Sequence, residues 1–183
     1  MKTKSIVRPV LLAFALLAAA QASLAGTVAI SPSPKTVTAG ETFSLQVLGK
    51  GFSETVIGGG FNLLFDVAML QLNSVSIAPG WEFAPSGGLI DPASGTLSNA
   101  SFNSFVAPKS GDFDVATLNF KSLAPGHTII SLLESPTFVF SDDAGNTFHP
   151  TLVSGEINAV PLPNTILLML SGLLPFLLRR QPR

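Results

Sequence analysis

From Thr42 to Leu48 the chain alternates, with Phe43, Leu45 and Val47 on one side and Thr42, Ser44 and Gln46 on the other. A period of two is that of a half-buried strand. The same period recurs at Phe61, Leu63 and Phe65 against Asn62 and Leu64. It returns at Ala116, Leu118 and Phe120 against Thr117, Asn119 and Lys121. Between Leu70 and Ile77 the phase slips. Leu70 and Leu72 share a face, but Val75 and Ile77 need a one-residue shift, which predicts a bulge near Asn73-Ser74. Shorter runs at Thr27–Ser31 (resumed at Thr36–Thr38), Thr128–Leu133, Thr137–Ser141, Thr147–His149 and Leu152–Ala159 join these, with Leu89-Ile90 and Gly95–Asn103 as weaker short segments, for an expected total of about nine or ten strands.

Turn residues punctuate this pattern. Gly49-Lys50-Gly51 is expected to end a strand, Pro79-Gly80 and Pro108–Gly111 to turn the chain, and Ala124-Pro125-Gly126 to fold Thr128–Leu133 back on Asp114–Leu123 as a hairpin. Pro32 and Pro34 mark an edge or a kink between strand segments. The stretch Ile57–Leu72 is the centre of the pattern: three glycines, an alternating run, an Asp-led corner and a second run. Asp66 is placed to cap one turn at Val67-Ala68-Met69. No amphipathic helix longer than one turn is evident. The fold class expected is all-β, an antiparallel β-sandwich.

The two ends depart from this pattern. Lys2, Lys4 and Arg8 precede the unbroken apolar run Val10–Ala20, and Ser23-Leu24-Ala25 supplies small residues at cleavage spacing. Residues 1–25 therefore read as a signal peptide, cut between Ala25 and Gly26. At the other end Thr165–Leu178 carries no charge and is followed by Arg179, Arg180 and Arg183. Residues 160–183 read as an anchor with a cytoplasmic basic end. The 134 residues between, 26–159, suffice for one domain. With no cysteine, packing alone must hold it. Those residues carry four lysines against eleven acids, a net charge of −7. Such a domain does not bind nucleic acid by neutralising phosphates.

Candidate chemistry is sparse. His127 and His149 both fall in turns, without metal spacing or a nucleophile-elbow motif, and neither predicts catalysis. Ser141–Asn146 (SDDAGN) offers acids, Gly and Asn, but lacks the full spacing of a calcium loop; the same residues suit a hairpin turn. No metal or other cofactor is expected. The 12 Phe outside the end segments fall mostly at inward positions. Trp81, the one Trp of a chain without Tyr, is the candidate for a sugar contact.

The order of an extended strand, a Gly-rich loop, GFNLLFD, a short turn and LQLNSVSIAPGWEF resembles the bacterial cohesin domain. So do ATLNFKSLAPGHTIISL (Ala116–Leu132) and the closing Val153-Ser154-Gly155-Glu156-Ile157. Asp66-Val67-Ala68-Met69-Leu70 stands where that family has Asp-Pro-Ser-x-Leu, keeping the Asp and the Leu. The resemblance spans roughly Val28–Ala159. It implies a jelly-roll sandwich of about nine strands, related in fold to family-2 and family-3 carbohydrate-binding modules. It also implies a non-enzymatic role, binding a dockerin-bearing protein through one sheet face, with a polysaccharide as the alternative ligand. No partner-contact residue carries over by motif. The tail is similar to PEP-CTERM sorting signals of the VPLP variant, with Val160, Pro161, Leu162 and Pro163 as its motif and Asn164 where Ala is common. That resemblance implies export across the inner membrane of a Gram-negative bacterium, processing by an exosortase-like transpeptidase, and a final place at the cell surface or outside the cell.

Overall fold

Most of the strands that alternation predicts form, although of Thr137–Ser141 only Phe140 and Ser141 join a strand, and one is far longer than its turn residues suggest. The computed structural model describes residues 26–162. These build β1 (Thr27–Ser31), β2 (Lys35–Thr38), β3 (Thr42–Leu64), β4 (Leu70–Ile77), β5 (Leu89–Asp91), β6 (Thr96–Asn103), β7 (Lys109–Ser122), β8 (Gly126–Glu134), β9 (Phe140–Asp142), β10 (Thr147–Phe148), β11 (Thr151–Val153) and β12 (Gly155–Val160). Among the described residues no helix is long and apolar enough to cross a membrane. The signal peptide and the apolar segment after Leu162 lie outside the described residues.

β3 runs for 23 residues, and Gly49-Lys50-Gly51 lies inside it. Its ladder with β7 shifts register between Val47 and Leu48 and on both sides of Phe52. Gly51 has φ +64°, so the strand bends through bulges where a reversal was expected. The two halves of β3 then serve two layers. Thr42–Gly49 pairs with β7 on one side and β1 on the other. Gly58–Leu64 pairs with β6 on one side and with β8 and β9 on the other. The first layer runs β11-β1-β3-β7-β4 and the second β5-β6-β3-β8-β12-β2, with the β9–β10 hairpin continuing the line of β8.

Three expectations change. Ala124-Pro125-Gly126 does not make a hairpin: β7 pairs with β3 and β4, while β8 pairs with β3 and β12. The turn carries the chain across to the opposite layer. The sandwich is also not wholly antiparallel, because β1 pairs with β11 and β2 with β12 in parallel. β1 and β2 are one pass split by a change of layer at Pro32–Pro34, and β11 and β12 are one pass split in the same way at Ser154. That splitting is one reason twelve ladder segments appear where about nine or ten were expected.

The core follows the predicted faces. Phe43, Leu45, Val47, Phe61, Leu63, Phe65, Ala116, Leu118 and Phe120 are all buried. Phe120 stacks on Phe43 at 6.0 Å and meets the edge of Phe65 at 5.4 Å. The bulge in β4 falls between Leu72 and Ser74, as the phase slip requires. Asp66 caps a turn, not a helix: its Oδ1 accepts the Ala68 N–H at 2.8 Å and its carbonyl accepts that of Leu70 at 2.8 Å. Gly60 is required for closeness. A Cβ there would lie 2.6 Å from that of Phe138 and 2.7 Å from the Ala100 carbonyl oxygen.

The ends of the described chain lie at opposite ends of the sandwich. Gly26 sits against the Phe52 ring and accepts the Thr151 N–H. At the far end, the Val160 carbonyl accepts the Ala39 N–H at 2.8 Å, and Gly40 N–H reaches Ser122 at 2.9 Å.

Candidate functional site

The outer faces of the two layers differ in chemistry. On the first, Ser74, Asn119 and Ser44 form a hydrogen-bonded row: Asn119 Nδ2 donates to Ser74 Oγ (3.0 Å) and Ser44 Oγ donates to Asn119 Oδ1 (2.7 Å). Thr117, Gln46, Ser76 and Lys121 flank this row, so the centre of the face is polar, an ordinary solvated surface; Ala29, Leu48 and Val153, the last 44% exposed, lie toward its β1–β11 edge.

The second outer face carries apolar side chains among short polar ones. Strand alternation puts Phe61, Leu63, Ile130 and Leu132 inward, which turns Leu64, Ile129 and Leu133 outward, each about half exposed. Leu89 of β5 is 74% exposed. Leu133 faces Asn62, Leu64 faces both Ser131 and Thr96, and Leu89 faces Ser98. One cross-strand row thus runs Leu133, Asn62, Ser98, Leu89 over three strand spacings, about 14 Å. Asn62 Oδ1 accepts the Asn99 N–H at 2.7 Å, and Ser135 Oγ donates to Asn99 Oδ1 at 3.2 Å. These bonds fix the bulge where β6 crosses β3. Glu134, Glu156 and Asp91 give the margin an acidic character. Such a face, apolar at its centre with satisfied polar groups around it, suits a protein surface.

The residues singled out in the sequence do not converge there. Trp81, the sugar-contact candidate, is 2% exposed. It packs on Phe102 at 4.7 Å and Phe113 at 5.6 Å, and its Nε1–H donates to the Asp114 carbonyl at 2.8 Å. Buried in this way the indole has no free face for a sugar ring. The exposed aromatics are others: Phe83 and Phe105 meet edge to face at 5.0 Å on the surface, where alternation alone assigned Phe mostly inward.

Each histidine is paired with a glutamate, not a serine. His149 Nδ1 lies 2.8 Å from Glu134 Oε2, and His127 Nε2 lies 3.8 Å from Glu156 Oε2. Among the described residues no group of three or more His, Cys, Asp or Glu converges as metal ligands. The SDDAGN segment forms the β9–β10 hairpin turn. Both carboxylate oxygens of Asp142 accept from Asn146, one from its N–H at 2.7 Å and one from its side-chain amide at 2.9 Å. Those two bonds hold the Asp142 carboxyl below its ordinary value of 3.8. A depressed folded pKa means the turn is stabilised above the unfolded value and loses that support as pH falls through the folded one. Amide exchange at Asn146 is therefore expected to speed up, relative to the intrinsic rate, only below about pH 4. A steady protection ratio down to pH 2 would refute this.

Val160 ends β12, so the first residue of the VPLP motif is held in the sheet; Pro161 and Leu162 follow it on the surface. Gly26 is described and buried. Ala25 and Pro163 lie outside the described residues.

The cohesin-domain family model matches residues 28–159. Comparison with curated proteins finds no match. Several solved structures are similar. One, a type I cohesin–dockerin complex from Clostridium thermocellum, is 14% identical with a TM-score of 0.61, over 74% of this chain and 99% of that one. Another is a non-cellulosomal cohesin from the archaeon Archaeoglobus fulgidus, at 12% identity and a TM-score of 0.60, over 74% and 91%. A third, the sixth cohesin of scaffoldin B from Acetivibrio cellulolyticus, in complex with a dockerin mutant, has 18% identity and a TM-score of 0.59, over 74% and 99%. At these identities the likeness speaks to the fold.

Proposed function

The chain belongs to the cohesin-domain family, and from that premise we propose that it is an exported, non-enzymatic module that binds a protein partner through the outer face of the β5-β6-β3-β8-β12 layer. The observation that carries this reading is the contrast between the two outer faces: one is polar at its centre with Val153 at its edge, the other presents Leu64, Leu89, Ile129 and Leu133. Exposed apolar groups clustered on one face mark an interaction surface. A dockerin-like module is the first partner to try, since relatives of the same fold are found in complex with dockerins. A cellulosome is not required, since the archaeal relative is non-cellulosomal.

Export and anchoring complete the reading. The signal peptide takes the chain across the inner membrane. The apolar C-terminal segment holds it there until an exosortase-like enzyme reads Val160–Pro163, and the product stays at the cell surface or leaves it. Intact-mass measurement of the mature protein is expected to place its start at Gly26 and its end near the VPLP motif.

The binding test compares two double variants against dockerin modules and cell-envelope extract. Leu64→Lys with Leu133→Lys is expected to weaken capture, each substitution costing about 2 kcal/mol, or roughly thirtyfold in Kd. Ser44→Lys with Thr117→Lys, on the other face, is expected to bind as the parent does. If the second pair abolished capture and the first did not, the face would be wrongly chosen. Clear retardation by a polysaccharide, with no protein captured, would favour a glycan ligand.

A further inference from the structure

The end of the sandwich where the described chain stops exposes aliphatic side chains. Val67 and Leu123 are both two-fifths exposed or more, and Leu162 more than half. Backbone bonds tie this end together: Leu123 N–H to the Met69 carbonyl at 2.8 Å, Gly40 N–H to Ser122 at 2.9 Å, and Ala39 N–H to Val160 at 2.8 Å. Beside Leu123 opens a cleft of about 150 Å³, lined chiefly by Phe65, Val67, Leu70, Leu72 and Pro92. The opposite end carries Gly26, Phe83 and Phe105.

Residue 162 is followed by only two residues, Pro163 and Asn164, before the uncharged run Thr165–Leu178 begins. Three residues span at most about 11 Å. On the anchor reading this run, followed by Arg179, Arg180 and Arg183, enters the lipid. So short a tether cannot hold the domain far from the bilayer. It brings one end of the sandwich to the headgroups, and that end presents Val67, Leu123 and Leu162 to whatever lies beside it.

We infer that, in the anchored form, the end bearing Val67, Leu123 and Leu162 rests on the lipid surface, so that the strands stand upright on the membrane and the apolar sheet face opens sideways. The inference rests on the anchor reading proposed above. The contact is through aliphatic groups: Glu41 and Asp66 offset Lys121 at this end, so anionic lipid gains no net attraction and phosphatidylcholine suffices.

The chain has no cysteine, so a single introduced thiol labels one site. The full chain is reconstituted in phosphatidylcholine vesicles containing a doxyl-labelled lipid, with an environment-sensitive fluorophore at Leu123→Cys, Val67→Cys or Val106→Cys. The first two labels are expected to lose most of their emission and the third, at the far end, to keep it. If the protein floats with the vesicles but all three labels stay bright, the anchor stands and the upright contact is refuted. If labels 123 and 67 are shielded from water yet unquenched, the C-terminal segment covers the cleft itself and the lipid contact is likewise refuted. If the protein does not float, the anchor reading fails and the inference falls with it.

Discussion

Trp81→Ala is expected to lower the stability of the domain by about 3–5 kcal/mol, measured by denaturant unfolding followed by circular dichroism. Trp81 is among the largest side chains that are almost wholly buried. Removing it empties space between Phe102 and Phe113, which loses contacts the surrounding sheet cannot restore by collapsing. The Asp114 carbonyl would also lose its indole donor, a part-buried hydrogen bond whose loss adds to the cost. No disulfide cushions the loss, because the chain has no cysteine. A decrease below about 1 kcal/mol would mean that the site relaxes and that Trp81 is not a keystone of the packing. The same result has a practical side: weaker polysaccharide binding by this variant would report unfolding, not a lost sugar contact.

Gly60→Val is expected to cost ~3 kcal/mol or more, by overpacking against parts that cannot move independently. A Cβ at this position collides with the Phe138 Cβ and with the Ala100 carbonyl oxygen, and the second of these is backbone. Either the β3–β6 ladder parts at the Gly60–Ser101 pair, or residues 135–139 lift from the sheet. The bond from Ser135 N–H to the Gly60 carbonyl, 3.2 Å, lies at the centre of that choice. Amide exchange at Ser135 separates the outcomes, because only the lifted loop exposes it. Parent-like stability in Gly60→Val would show that the approach is looser than these distances imply.

Alternation made the core legible. Phe61, Leu63 and Phe65, or Ala116, Leu118 and Phe120, lie inward because a strand permits only two faces and one of them must be dry. The slip at Asn73 was visible for the same reason. Long-range pairing was not. Gly49-Lys50-Gly51 has the composition of a turn, and so does a bulge at positive φ; local chemistry does not tell them apart. Ala124-Pro125-Gly126 is a real turn, but a turn fixes neither which strand comes next to which nor in which layer.

The candidate face was only half legible. Leu64 stands at an outward position in FNLLF, and that signal was present. Ile129 and Leu133 lie in HTIISLLE, where consecutive apolar residues blur the two faces until β12 and β3 assign them. Phe83 and Phe105 escaped notice because an aromatic near a strand end is inward by default, and the loop is held by non-local bonds, among them those that Glu82 Oε1 accepts from Ser104 Oγ (2.9 Å) and the Val106 N–H (3.2 Å).

The parallel pairing of β1 with β11 and of β2 with β12 has a mechanical consequence. The first and last passes of the domain run side by side, and the described chain leaves at opposite ends of them. Tension applied between Gly26 and Leu162 therefore pulls along the strands. The hydrogen bonds that join them, including Ala39 to Val160, are loaded together in shear instead of being peeled open one after another. A module tethered at one end to a cell and gripped elsewhere by a partner under drag would gain from being hard to unravel along that axis.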